Sequence, residues 1–344
     1  MKNRDLSLDL LRILSAISVI TIHVSGDNWN KVNVHSFEWQ TFNFYESLVR
    51  FSVAAFVMIS GVFLLDASHK LTLSDLYKKK ILRFVLMFIV WSLFYNFIFS
   101  GPDNFINNII DSFLESEGTT HLWFLKMIIG LYILVPILRK VVSDAQVVKY
   151  FLFIYIAFLF IYQLGKLEST EMIYEEFFTE TSMLIPLGFI GYFIAGYYFK
   201  RMINLNKKAR TYIYIMGIAG FIITVLGSAI ISHIKGTPIE LLYDDLTPNV
   251  AMVTLGIFTF FNYRVSKIEF SDKTKKIITN ISECTLGIYL LHPLFIYLLG
   301  HFGINTLSVN PILSVPMIVL TVLILSLAST ALLKQIPIIN KYIV

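Results

Sequence analysis

Long apolar stretches recur along the whole chain, and short polar segments separate them. A helix that crosses a membrane needs about 20 consecutive, mostly apolar residues. Ten stretches reach or approach this length, and they predict an all-α, polytopic membrane bundle of about ten transmembrane helices. The eighth stretch is the shortest, so we expect residues 246–250 to lengthen it across Pro248. The approximate bounds of the ten are 8–25, 48–65, 81–100, 122–138, 150–164, 183–199, 212–232, 250–261, 281–299 and 312–333.

The basic residues between these stretches indicate how the chain is oriented. Cytoplasmic loops of membrane proteins are enriched in Lys and Arg. Of the 28 Lys and Arg residues, 22 lie in the even-numbered gaps or at the two ends of the chain. Only four lie in or beside the odd-numbered gaps, and two lie inside the apolar stretches. This alternation predicts that both termini are cytoplasmic.

The polar segments are too short to form folded domains of their own. The longest has fewer than about 25 residues, well below the usual size of a domain. Two segments on the predicted outer side, 103–117 and 168–180, are acidic, and we interpret them as a solvated outer surface. The sequence therefore predicts that residues 1–344 form one integral-membrane domain with no fused extracellular domain. Charges at Arg4, Asp5 and Asp9 come too early for a cleavable signal peptide. We therefore expect the first helix to be retained in the mature protein.

Composition supports the membrane interpretation and excludes several other classes of protein. Hydrophobic residues make up 56% of the chain and charged residues 15%, against about 25% charged residues in soluble domains. The mean hydropathy is +0.71. The apolar content, with 30 Phe and 18 Tyr, excludes intrinsic disorder, and the single cysteine excludes a disulfide scaffold or a Cys-rich metal site. The net charge of +5 is assigned to loops beside the membrane, so no nucleic-acid partner is expected.

The first apolar stretch carries the most ionisable residues. Such residues inside a bilayer are unfavourable and often functional. Arg12 and His23 are 11 residues apart, which at about 100° per residue is within about 20° of three full helical turns. We therefore expect both side chains on one face, about 16 Å apart along the axis. Asp9 lies on the same face, within reach of an ion pair with Arg12. The alternatives are a snorkelling arginine and a histidine that makes an interhelical hydrogen bond.

Other polar residues in the apolar stretches are candidates for a functional role, and each also has a simple structural explanation. His292 lies in the ninth stretch beside Pro293, where it either lines a cavity or makes a structural hydrogen bond. Lys126 follows Trp123 at the outer start of the fourth stretch, where a lysine that snorkels beside an aromatic belt is the simpler interpretation. Ser60-Gly61 in the second stretch is also explained by a close contact between helices.

Several kinds of site have no sequence support. No pair of histidines has the H-x-x-x-H spacing of metal ligands on a helix, so no metal is expected. The chain has no phosphate-binding P-loop and no G-x-G-x-x-G motif, which argues against a soluble nucleotide-binding fold. It also lacks the G-x-S-x-G motif of hydrolases that use a serine nucleophile.

Three blocks in the first half of the chain follow a known pattern. Asp9, Arg12 and His23 match a motif in which Arg and His are separated by ten residues in the first helix. The second block is Arg50-Phe-Ser-Val-Ala54-Ala-Phe followed by Ser60-Gly, with Ala54 where the pattern usually has proline. The third is Lys80-Ile-Leu-Arg83, with Lys in place of the first Arg. On these blocks the whole chain resembles the acyltransferase 3 family, integral-membrane enzymes that move acyl groups onto extracytoplasmic glycans.

Two later blocks narrow the resemblance. They are His121-Leu-Trp123-Phe-Leu, followed by Gly130-Leu-Tyr132 and Pro136, and Ile281-Ser282, followed by Gly287-Ile-Tyr289-Leu-Leu-His292-Pro293. Both look like members that O-acetylate the enterobacterial common antigen and like members that succinylate a staphylococcal adhesion polysaccharide. The resemblance therefore implies a multi-pass O-acyltransferase in the plasma membrane of a bacterium. Acetyl-CoA is the favoured donor, and succinyl-CoA stays open.

The resemblance also implies roles for particular residues. His23 is expected to act as the general base on a glycan hydroxyl or through a transient acyl-imidazole, with Arg12 anchoring the donor and Asp9 holding Arg12. The basic residues Lys78, Lys79, Lys80 and Arg83 would meet the phosphates of CoA, with Arg139 and Lys140 as further candidates. The expected contacts to substrate are Arg50, Ser60, Trp123, Lys126, Tyr289 and His292.

The expected partners are the lipid bilayer, acyl-CoA and a cell-surface glycan, and an oligomer is left open. Two other functions remain compatible with the residues. One is a transporter or exporter of a polysaccharide or lipid-linked glycan, in which buried polar groups line a path through the helices. The other is an accessory subunit that binds lipid-linked glycan without chemistry. Consumption of the acyl thioester by the purified protein separates an enzyme from both.

Overall fold

The computed structural model describes residues 4–68, 70–104, 121–166 and 185–344, and within these ranges the chain is helical with no β-strand. The helices that enter the argument are α1 (Leu6–Trp29), α2 (Phe37–Val49), α3 (Ser52–Leu64), α4 (Leu82–Asn104), α5 (Trp123–Val141), α6 (Ala145–Gly165), α7 (Ile185–Tyr197), α8 (Lys207–Lys235), α9 (Pro248–Tyr263), α10 (Asp272–Ser282), α11 (Thr285–His301), α12 (Pro311–Leu333) and α13 (Pro337–Tyr342). The acidic segments 105–117 and 168–180 lie outside the described residues.

Helix occupies all ten predicted stretches, as far as they are described. By length and composition, six helical segments in the described residues are able to cross a membrane, and a seventh is obtained when α10 and α11 are taken together. The other predicted stretches fold as shorter or more highly charged helices, so the number ten and the cytoplasmic termini stay predictions. The six segments are Leu6–Trp29, Phe37–Leu64, Leu73–Phe99, Ala145–Gly165, Lys207–Lys235 and Pro311–Leu333.

The structure corrects the prediction in three stretches. The second stretch is preceded by the helix α2, which starts after Ser36 and ends at Val49, so a short break at Arg50-Phe51 separates α2 from α3. The expected extension across Pro248 is wrong, because α9 begins at this proline. A proline lacks the backbone N–H and therefore suits only the first turn of a helix. In the ninth stretch, α10 and α11 meet at an angle of 57°.

Local signals explain where α1 begins and why it lies at the centre of the bundle. The Asp5 carboxylate accepts hydrogen bonds from the backbone N–H groups of Ser7 and Leu8, which caps the first turn. Within its apolar window, 61% of α1 is buried inside the protein, compared with 22% for α6 and for α8. Helices α2, α3, α9, α10, α11 and α12 all contact α1. The apolar side chains that α6 and α8 leave exposed are consequently expected to face lipid.

Helices α3 and α7 approach each other through two glycines. A Cβ atom added to Gly61 would lie 1.8 Å from the backbone oxygen of Phe193, and one added to Gly196 would lie 2.0 Å from the backbone oxygen of Met58. Small residues allow helices in membranes to pack at this distance. The Ser60-Gly61 pair thus makes the close helix contact that the sequence suggested.

Substitution of Gly61 by alanine is expected to lower the free energy of unfolding by about 1–3 kcal/mol, because the added methyl group overpacks a backbone contact. The measurement is the melting temperature of the detergent-solubilised protein. Gly300→Ala is the matched control, since a Cβ atom there meets nothing within 4 Å. Equal melting temperatures for the two variants would contradict the prediction.

Candidate active site

A cavity of about 240 Å³ opens beside α1, between α3, α4, α5 and the bend that joins α10 to α11. Part of the lining is apolar, with Phe and aliphatic residues from five helices. The polar and larger aromatic residues of the lining come from α1, α3, α5, the segment before α5, the end of α10, and α11. They are Arg12, His23, Ser60, His121, Trp123, Tyr132, Ser282, Thr285 and Tyr289.

Arg12 and His23 both line this cavity, as their predicted common face requires. The guanidinium of Arg12 lies 5.6 Å from the centre of the Phe63 ring. Among the described residues Arg12 makes no direct salt bridge, and the Asp9 carboxylate attracts it only from a longer distance. A guanidinium that no carboxylate contacts directly at a cavity wall is suited to bind an anion or a polarised carbonyl group of a ligand.

Asp9 does not make the ion pair that the sequence suggested. Its carboxylate lies 2.6 Å from Nε of Arg4, and it accepts a hydrogen bond of 2.7 Å from the hydroxyl of Ser282. Arg4 in turn pairs with Glu283 at 2.6 Å. The prediction of an Asp9–Arg12 pair is therefore wrong, because a basic residue outside α1 and a hydroxyl at the α10–α11 bend occupy the carboxylate.

Three histidines from separate parts of the chain meet at the far end of the cavity from Arg12. The ring centres of His23 and His292 are 5.0 Å apart, and those of His121 and His292 are 5.9 Å apart. His292 is fully buried and lies behind the wall of the cavity, whereas His23 and His121 contribute to the wall. The structure thus brings His292 to the site but not into the substrate-facing position that was expected of it.

His121 is the residue of this site that sequence reasoning missed. It is the first residue of the block His121-Leu-Trp123, which was the one available signal, but it was not among the predicted site residues. Its ring packs edge-on against Tyr95, with ring centres 4.7 Å apart. The Tyr289 hydroxyl donates a hydrogen bond to the backbone oxygen of His121. The last contact ties α11 to the start of α5 at the cavity wall.

Ser60, Trp123 and Tyr289 line the cavity, so these predicted substrate contacts lie where a substrate could touch them. Arg50 lies outside the lining. The Arg50 guanidinium pairs with the carboxylate of Glu46 and lies 4.4 Å from the centre of the Tyr243 ring. Glu46 is buried and also accepts a hydrogen bond of 2.7 Å from Ser25. The pair lies at the last turn of α2, directly before the break at Arg50-Phe51.

Lys126 is also placed away from the cavity. Its side chain is exposed on α5, and its ammonium group lies 5.8 Å from the centre of the Phe88 ring. A cation over an aromatic face on the outer part of a helix agrees with the snorkelling alternative.

Basic residues gather near the Arg12 end of the cavity. Lys80 lies within electrostatic range of Arg83 and Arg139. Arg139 donates hydrogen bonds to the backbone oxygens of Leu64 (2.8 Å) and Asp66 (3.1 Å). Arg83 and Arg12 both lie within electrostatic range of Tyr132, a residue of the cavity wall. We call Lys80, Arg83 and Arg139 the positive face.

Two of the predicted phosphate ligands, Arg83 and Lys79, also have partners within the protein. Arg83 donates to the backbone oxygens of Asn340 (3.5 Å) and Val344 (2.5 Å), while Lys79 forms an exposed ion pair of 2.5 Å with Asp75. Lys79 is consequently the weakest of the predicted donor contacts.

Within the described ranges, no group of three or more His, Cys, Asp or Glu residues is arranged to hold a metal ion.

A family model described as an acyltransferase domain matches residues 5–331. The match covers nearly the whole chain and includes every residue that lines the cavity. Neither the curated proteins nor the solved structures contain a match to the chain.

Proposed function

The chain belongs to the acyltransferase 3 family, and from this premise we propose that it is an O-acyltransferase that takes an acetyl group from cytoplasmic acetyl-CoA. The acceptor is a hydroxyl group of a glycan at the outer face of a bacterial plasma membrane. The observation that carries the proposal is a single cavity lined by both Arg12 and His23, about 16 Å apart along α1. Such a cavity joins a donor-binding cation to a candidate base across much of the bilayer.

The size of the cavity limits which part of the donor it holds. At about 240 Å³ it is smaller than the pockets of about 300–1,000 Å³ that enclose drug-sized ligands. It suits the acyl thioester end of the donor, whereas the nucleotide end stays outside, at the positive face formed by Lys80, Arg83 and Arg139. Arg12 would then meet the polar pantetheine arm or its phosphate where the donor enters.

The charge of the lining favours acetyl over succinyl. Among the described lining residues, Arg12 is the one basic side chain of the Lys or Arg type, and it lies about 16 Å along the axis from His23. Near His23 the wall includes Val19, Phe124 and Tyr289. Arg50 lies within electrostatic range of His23 but is already paired with Glu46. A carboxylate at the end of a succinyl group would have to compete with Glu46 for that cation, which is unfavourable.

His23 would act directly on the acceptor. Its neutral imidazole takes the proton of the sugar hydroxyl while the hydroxyl oxygen bonds to the thioester carbonyl carbon. The carbon–sulfur bond then breaks, and the CoA thiolate takes up the proton as it leaves. Histidine suits this role because its ordinary titration range lies close to neutral pH. The products are an O-acetylated glycan and free CoA.

The direct test uses purified protein in lipid vesicles, labelled acetyl-CoA and glycan from a bacterial cell surface. The proposal expects release of free CoA and transfer of the label to glycan as an ester that mild alkali removes. Unlabelled succinyl-CoA is expected to compete poorly. Failure of any tested acyl-CoA to be consumed would favour the transporter or the accessory subunit.

The positive face offers a separate prediction on the donor. Replacement of both Lys80 and Arg83 by Gln is expected to weaken acyl-CoA binding, and the deficit is expected to shrink at high salt because exposed charges are screened. Equilibrium binding of labelled acetyl-CoA at low and high salt is the measurement. The matched control replaces the exposed Lys273 and Lys276 of α10 by Gln, which removes the same charge elsewhere. Equal donor affinity for both double variants would mean that Lys80 and Arg83 serve only membrane topology.

A further inference from the structure

His292 has a ring orientation that its own helix determines. Nδ1 lies 3.3 Å from the backbone oxygen of Ile288, one turn earlier in α11. Pro293 has no backbone N–H, so it cannot donate the usual helical hydrogen bond to the carbonyl of Tyr289. The His-Pro pair therefore leaves carbonyl oxygens in this turn open to the imidazole. With a carbonyl oxygen as its neighbour, Nδ1 carries the proton, and Nε2 of neutral His292 is an acceptor.

That acceptor has no partner in the described structure. Nε2 of His292 is buried and makes no hydrogen bond to any described residue. The side chain is 0% exposed and lies behind the cavity wall, so a ligand in the cavity does not reach it directly. Buried polar atoms in native proteins are nearly always paired, and an unpaired one requires an explanation.

The neighbouring imidazole of His23 supplies the explanation. With ring centres 5.0 Å apart, a small rotation of the rings brings two nitrogens to the distance of about 3 Å that an N–H···N hydrogen bond requires. The ring centres of His121 and His292 are 5.9 Å apart, which leaves even facing nitrogens beyond that distance. His23 is therefore the better donor to Nε2 of His292.

We infer that His292 is the positioning residue of His23: it accepts the N–H of one His23 ring nitrogen and so leaves the other nitrogen unprotonated at the cavity wall. The inference rests on the proposed function, in which His23 is the base. A neutral imidazole has one donor and one acceptor nitrogen, and the partner of the donor selects which nitrogen faces the substrate. His292 makes this selection without adding a net charge to the membrane interior.

The proton movements balance with His292 unchanged. The sugar hydroxyl gives its proton to the free nitrogen of His23, which becomes an imidazolium while its other N–H stays bonded to Nε2 of His292. The bond between the two rings strengthens as His23 gains charge, since hydrogen bonds with an ionised donor are the stronger kind. The proton then passes from His23 to the departing thiolate, and no bond of His292 is made or broken.

The test compares His292→Gln with His292→Met in the full-length protein. The two side chains are similar in length, but only glutamine presents a strong acceptor near the position of Nε2. His292→Met is expected to lower kcat for acyl transfer about 10–100-fold, the range typical of lost partners to a functional histidine. KM for acetyl-CoA is expected to stay close to that of the wild type. His292→Gln should recover about tenfold of the loss, and His301→Met, at the exposed end of α11, controls for the loss of a histidine.

The same substitutions in a His23→Ala background complete the test. Because His292 acts through His23, His292→Met should not lower the residual rate of His23→Ala any further. Wild-type kcat for His292→Met, with His23→Ala inactive, overturns this inference alone. Equal losses for Gln and Met, or a further fall in the His23→Ala background, would assign His292 to packing and also overturn it. Wild-type transfer by His23→Ala would instead overturn the role of His23 in the proposed function.

Discussion

Replacement of His23 by alanine is expected to lower the rate of acyl transfer to glycan by about 10²–10⁴-fold, the usual contribution of a general base. Binding of acetyl-CoA is expected to stay near the wild-type level, because Arg12 and the positive face lie at the other end of the cavity. The measurements are transfer of labelled acetyl to glycan and equilibrium binding of the donor, both on monodisperse protein.

The matched control for this variant is His301→Ala, which removes an exposed histidine from the end of α11. It should transfer acetyl at the wild-type rate. Wild-type transfer by His23→Ala would contradict the mechanism. It would favour the alternative in which His23 only makes an interhelical hydrogen bond. A combined loss of donor binding and transfer would show that His23 supports the cavity as a whole.

Replacement of Arg12 by lysine is expected to weaken acetyl-CoA binding about 10–150-fold. This corresponds to the loss of one hydrogen bond from a charged group, about 1.5–3 kcal/mol. Lysine keeps the charge but lacks the planar guanidinium with its fixed set of donors. Saturating donor should restore much of the transfer rate, because the base and its neighbours at the far end are unchanged. Titration of the donor in the transfer assay separates the change in KM from the change in kcat.

Arg264→Lys provides the control for the loss of a guanidinium, since Arg264 is exposed at the end of α9 and does not line the cavity. Its KM for acetyl-CoA should equal that of the wild type. If Arg12→Lys also kept the wild-type KM and kcat, Arg12 would be a snorkelling residue without a role in the reaction. The two variants of α1 are expected to fail at different steps, which a general loss of folding would not produce.

The shared orientation of Arg12 and His23 was predictable because it depends on one helix only. A continuous α-helix turns by about 100° per residue, so a separation of 11 residues fixes the relative direction of two side chains. The structure confirms that both side chains line one cavity. The apolar stretches were predictable for a similar reason, since the length and apolar composition of each stretch decide whether it can cross a membrane.

The partners of these residues were not predictable from spacing within a helix. Asp9 is three residues from Arg12, yet its carboxylate is held by Arg4 and by Ser282 from the α10–α11 bend. For Asp9 the competing partners lie closer in the folded chain, and the sequence does not rank residues by distance in space. Arg50 differs, because it was expected at the substrate but is paired with Glu46, four residues earlier, at a spacing that a helix does predict.

The sequence by itself determined that the chain is a helical membrane protein, where its main apolar helices lie, and which face of α1 carries the candidate residues Arg12 and His23. The tertiary structure decided what that face meets. It placed His121 from the start of α5 and His292 from α11 beside His23 from α1. Helical periodicity is a local property, whereas the contact of three histidines depends on how separate helices pack, bend and cross. The close α3–α7 contact and the 57° bend before α11 belong to that packing.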